Sequence, residues 1–122
     1  MKAPISKDQE ELIHNFIVRT YLINVLESDL KTIERANFKL NEPYIKLVEH
    51  ILKKIRIEIR DMKAEMKKLE MKVEEPFLDN VEFWQYDFYV RGYHGFKRYW
   101  DYALKMHCTK LLDMYFKGEP TK

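Results

Sequence analysis

From Tyr44 to Val73 the chain places an apolar residue at every third or fourth position: Tyr44, Val48, Ile51, Ile55, Ile59, Met62, Met66, Leu69 and Val73. No glycine or proline interrupts the run between Pro43 and Pro76. Such a stripe predicts one helix over 42–73, roughly thirty residues and on the order of 45 Å long, lying along another helix. One extra four-residue step breaks the heptad rhythm and relaxes any left-handed supercoil. Asn41 is the candidate N-cap, and Pro43 suits a first turn, where its missing N–H has no helical partner anyway. The opposite face is charged: Lys53 to Lys72 carries eight basic and four acidic residues. Glu58, Asp61, Glu65 and Glu70 are interspersed among the cations, which favours a solvated face of weak ion pairs over a rail for a polyanion.

A first helix is expected over 6–36. Ser6 with Gln9 three residues later forms a capping-box pattern, and Asp8, Glu10 and Glu11 suit the positive end of the helix dipole. Apolar residues then fill more than half its circumference, from Leu12 and Ile13 to Leu30 and Ile33, as in a helix that touches two neighbours. Arg19 and Asn24 fall within this dense region and read as rim or satisfied polar residues. The joint 37–42 is short, so the two helices form an antiparallel hairpin.

After Val73 the chain changes character. Glu74, Glu75, Asp79, Glu82 and Asp87 form an acidic stretch with no basic residue before Val90. Eleven of the seventeen aromatics lie between Phe77 and Tyr102. In 79–90 the residues Trp84, Tyr86, Phe88 and Val90 share one face of a strand, whereas Trp84 with Phe88 pairs on a helix. A strand needs a partner and no other strand is evident, so a short helix over 79–90 is expected. Gly92 and Gly95 bracket a flexible joint. A last helix is expected over 96–116, stopped by Gly118 with Pro120 beyond, and 119–122 reads as a frayed tail. The expected fold is therefore all-α, a single helical domain over 1–122. It is a long, coiled-coil-like antiparallel hairpin with an aromatic-rich C-terminal helical section, giving a bundle of three to four helices.

Chemistry is sparse. The four histidines, His14, His50, His94 and His107, show no metal-ligand spacing among themselves or with Cys108. His107 and Cys108 point about 100° apart on a helix. Cys108 sits in mid-helix, where no N-terminal dipole activates a thiolate. No Gly-rich phosphate loop is present, so no catalytic residue, cofactor or metal is expected. A lone cysteine forms no internal disulfide and fits a reducing, cytoplasmic setting. Residues 1–4 lead into a capping sequence with no apolar leader, and no stretch is long and apolar enough for a membrane span.

Two functions remain. The first is a non-enzymatic interaction or regulatory protein. It presents a helical and aromatic surface to a protein partner or a second copy, through Met62, Met66, Leu69, Val73, Trp84, Phe88 and Tyr89. Aromatic and Met residues are enriched in interface cores, and the late part of helix two is expected to project past its partners. The second is a DNA- or RNA-binding regulator. The Arg91–Trp100 segment mixes basic and aromatic residues, so Arg91, Tyr93, His94, Lys97 and Arg98 are the candidate contacts, with Lys53, Arg56, Arg60 and Lys67 as phosphate neighbours. The nucleic-acid reading requires these cations on one face.

Overall fold

A computed structural model describes residues 5–79 and 82–120. Residues 1–4, read above as leaderless, the last two residues of the tail 119–122, and Asn80 and Val81 within the expected short helix lie outside the described residues, while the Glu119 N–H donates to the Met114 carbonyl at 3.0 Å. The first helix, α1, spans Lys7–Arg35 and opens with the capping box: the Gln9 N–H donates to Ser6 Oγ at 3.1 Å and the Ser6 N–H donates to Gln9 Oε1 at 3.0 Å. The second, α2, spans Asn41–Lys68. Its N-cap is Leu40, not Asn41. The Asn41 amide instead donates back to the Ala36 carbonyl at 2.8 Å and closes the connecting loop. The ion pairs Arg19–Glu58 and Glu27–Arg56 run in opposite order along the two helices, which are thus antiparallel.

The all-α expectation is overturned. The molecule is α+β, because the chain between α2 and the last helix forms a four-stranded antiparallel sheet. Its strands are β1 (Met71–Val73), β2 (Phe77–Leu78), β3 (Phe83–Val90) and β4 (Tyr93–Trp100). The last helix, α3, spans Asp101–Lys117. The bundle and coiled-coil description fails with it. Helix two ends at Lys68 rather than Val73, the segment expected as a short helix is mostly β3, and the first part of the expected C-terminal helix is β4.

Each departure has a local cause. Glu70 takes a left-handed conformation (φ 55°) and turns the chain out of α2, so that Met71 pairs with Val90. β3 is rich in aromatic residues, which fit a pleated, half-buried surface. Its partner is β4, reached through the two-residue turn Arg91-Gly92 with φ of 50° and 83°. Two central residues with positive φ match the right-handed twist of a hairpin. Gly95 is therefore no joint: it lies within β4, opposite Phe88.

β3 is the centre of the sheet. β4 flanks one side, and β1 and β2 flank the other in succession. Glu74–Pro76 stand opposite only Tyr86 and Asp87, a bulge that accommodates the proline. The even positions of β3 face inward, and Tyr86, Phe88 and Val90 are buried. They pack with Ile13, Ile17, Leu22 and Leu26 of α1, with Ile51, Ile55, Ile59 and Met66 of α2, and with Leu104, Cys108 and Leu111 of α3. Helix α1 is central, as its broad apolar surface predicts. Arg19, 2 % exposed, is bonded to Glu58 at 2.9 Å, and the Tyr115 hydroxyl donates to the same carboxylate. One charged cluster thus ties the three helices together, with the buried Arg19 guanidinium paired to a carboxylate that is still partly open to water.

Candidate functional site: the open face of the sheet and the cleft behind it

The outer face of the sheet carries the cross-strand pairs Tyr89–His94, Asp87–Phe96, Gln85–Arg98 and Phe83–Trp100. Lys72 and Phe77 continue it onto the bulged edge. The aromatic rings here remain open to water: Phe77 is 46 % exposed, Tyr89 38 %, Phe96 55 % and Trp100 49 %. The polar groups between them are matched within the chain. Lys72 lies 3.7 Å from Glu74, and His94 lies 3.3 Å from Asp87. Arg98 pairs with Asp79 and stacks over the Phe83 ring at 4.9 Å.

The predicted contact residues are not brought together in the way the sequence suggests. Met66 and Phe88 are buried, and Met62, Leu69, Val73 and Trp84 are half-buried against the same core. The far end of α2 does not project bare, because the sheet covers it. Tyr89 alone of that set stands on the open face. Of the basic and aromatic set, Arg91 is exposed at the hairpin turn, and Tyr93 follows it. Arg98 and His94 face outward with Tyr89, whereas Lys97 faces inward opposite Tyr86. The pleat therefore separates Lys97 from Arg98. Lys53, Arg56, Arg60 and Lys67 are exposed on α2, with Arg56 paired to Glu27 and Arg60 to Asp61. Phe77, Phe96 and Trp100 are the open-face residues that periodicity assigned to a helix or left unassigned.

Behind the sheet a cleft of about 400 Å³ runs between α1 and the β1–β2 edge, lined by Tyr21, Asn24, Val25, Ser28, Asp29, Pro76, Trp84 and Tyr86. Asp101, the first residue of α3, fixes two of its rings. Its Oδ1 accepts from the Trp84 indole N–H at 3.0 Å and from the Tyr21 hydroxyl at 3.4 Å. Lys105 first, and then the Trp84 indole, hold the Asp101 carboxyl below its ordinary value. Tyr86 is 3 % exposed, and burial raises its phenol far above the ordinary range.

A third cluster joins residues far apart in sequence. His14 Nδ1 lies 2.7 Å from the Tyr99 hydroxyl, and the His107 ring meets His14 edge-on at 4.8 Å. Desolvation, then His107 and Lys97, lower the His14 pKa from 6.5. Among the described residues no group of three or more His, Cys, Asp and Glu could hold a metal ion. Cys108 is buried, its thiol pushed up to about 12 by desolvation, and it donates to the Val18 carbonyl. It belongs to the hydrophobic core. No helix among the described residues is long and apolar enough to cross a membrane.

No solved structure matches the chain. It is 27 % identical over 105 residues to "Uncharacterized protein YhjD" of Bacillus subtilis (strain 168), an alignment covering 86 % of this chain and 87 % of that protein. The family model described as YhjD protein matches residues 4–120, and the chain belongs to that family.

Proposed function

We propose that the chain is a small, non-enzymatic interaction or regulatory protein of the cytoplasm, and that a second copy of itself docks on the open face of its sheet. The observation that carries this reading is the set of exposed rings at Phe77, Tyr89, Phe96 and Trp100 on one strand surface. Aromatic residues are enriched at interface cores because they offer large contact area with little side-chain entropy to lose. The face also carries cations and carboxylates side by side, Lys72 with Glu74, His94 with Asp87 and Arg98 with Asp79. A two-fold axis brings such a surface against itself with opposite charges available to both copies. The unactivated thiol of Cys108 supports a non-enzymatic role and suits a reducing compartment.

A nucleic-acid partner is less favoured, because phosphate binding draws on cations free to release counterions. Here Lys72, His94 and Arg98 already face carboxylates, and Lys97 lies on the opposite face. The test is sedimentation equilibrium of the wild type and of Phe96→Glu. The expected result is a concentration-dependent dimer that the variant abolishes while retaining the wild-type circular dichroism spectrum. A wild type that stays monomeric, with random single-stranded DNA bound in a steeply salt-dependent way, overturns the proposal in favour of nucleic acid.

A further inference from the structure

We infer that the cleft between α1 and the β1–β2 edge is a binding site for an organic ammonium ion, independent of the open sheet face. Three rings converge on it, from Tyr21, Trp84 and Tyr86. Tyr21 and Trp84 meet edge to face at 6.4 Å, with their polar tips anchored on Asp101, so the arrangement is in place before a ligand arrives. Aromatic faces attract cations through the ring quadrupole, most strongly where water is displaced.

Two further observations give the sign and the type of ligand. Asp29 lines the same cleft and makes no ion pair among the described residues, and no Lys or Arg lines that cleft. A carboxylate and three rings in one lining give the cleft an acidic, aromatic character suited to a cation. Tyr86 is 3 % exposed, and its hydroxyl makes no hydrogen bond among the described residues. That hydroxyl is not fully enclosed, since the Asn41 side-chain oxygen is the one fully buried side-chain polar atom without a partner among the described residues, and it can bond water or a ligand in the cleft. With Asn24 and Ser28 beside it, the site offers oxygen acceptors to an N–H-bearing ammonium, and its volume of about 400 Å³ accommodates a small amine.

The smaller adjoining hollow of about 220 Å³ contains Glu74, which pairs with Lys72, and Glu75, with Lys63 in the same hollow to offset its charge. The ammonium group therefore seats in the larger cleft, against Asp29 and the rings.

The test uses the full chain labelled with nitrogen-15. Its two indole N–H signals, from Trp84 in the cleft and Trp100 on the open face, are assigned with Trp100→Phe. Benzylammonium chloride is the probe and benzyl alcohol its neutral counterpart. The expected result is a saturable shift of the Trp84 signal with Trp100 unmoved, and binding of the alcohol weaker by about tenfold or more. Asp29→Asn, at an exposed position, weakens benzylammonium binding by a similar factor. Tyr86→Phe, which keeps the ring, weakens it too. No saturable shift, equal binding of the alcohol, or unchanged binding by Asp29→Asn each overturns the proposal. Loss of the dimer leaves these readouts in place, so the two proposals fail separately.

Discussion

Gly95 is where a single atom decides the packing of the inner face. A Cβ at that position lies 2.6 Å from both Cε1 and Cζ of the Phe88 ring, which covers the glycine across the β3–β4 pair. Phe88 is 4 % exposed and has no room to retreat. Gly95→Ala is expected to lower stability by about 1–3 kcal/mol, the usual range for overpacking a filled core. Urea unfolding measures it, and adding Phe88→Leu to the alanine variant should recover part of the loss. At this scale the sequence is legible where the signal is local. The Ser6–Gln9 pair announces its own cap, and Cys108 its place within the last helix. It is silent where partners are distant. Nothing near Arg19 points to Glu58 or Tyr115, and nothing near His14 points to His107, since each pairing exists only after helices distant in sequence pack.

At the scale of elements, the long apolar stripe correctly marks α2 as far as Lys68, then misleads. Leu69 and Val73 keep helical spacing by coincidence, because an inward-facing strand residue follows the last helical turn. The strands hide for a physical reason. In β4 the inward positions are Tyr93, Gly95, Lys97 and Tyr99, while the outward ones include Phe96 and Trp100. Apolar residues sit on both faces, so the period of two vanishes and Phe96, Tyr99 and Trp100 imitate a helix. With β4 unseen, β3 lacks a partner, and the alternation of Trp84, Tyr86, Phe88 and Val90 loses its meaning. The open face is invisible for the same reason, since it is defined only by the register of two strands. The turn from α2 into β1 offers a test. Glu70 has φ 55°, a conformation that costs most residues about 1–2 kcal/mol. Glu70→Gly is expected to raise stability by about 1 kcal/mol, read as a higher urea midpoint with unchanged slope. A lower midpoint would show that the Glu70 side chain stabilises the corner more than its backbone strains it.

The whole molecule is a sheet backed by helices, with α1 between α2 and α3. Its stability should depend on pH through the cluster that joins α1, β4 and α3. His14 is flanked by His107 of α3 and by Lys97 and Tyr99 of β4. Its folded pKa lies below its ordinary value of 6.5. The unfolded chain therefore takes up a proton first as pH falls, and folding stability drops from about 6.5 downward until the folded group also protonates. His14→Gln, which removes the titration and keeps a polar group near Tyr99, should flatten that slope in urea unfolding between pH 7 and 5. An unchanged slope would assign the acid sensitivity to other groups.

Helix α1 is also synthesised before the sheet and the helices that pack against it. The hydrogen bonds that join it to the end of the chain, His14 with Tyr99, Tyr21 with Asp101 and Cys108 with Val18, span 80 to 90 residues. During translation its α2-facing side is covered early, while the side that receives β4 and α3 stays bare until those two elements emerge. A nascent chain stalled before Asp101 leaves Val18 and Tyr21 without the α3 groups that meet them, open to chaperones and proteases. Quality control thus has a window, set by chain topology, in which to distinguish a chain that lacks α3 from one that has it.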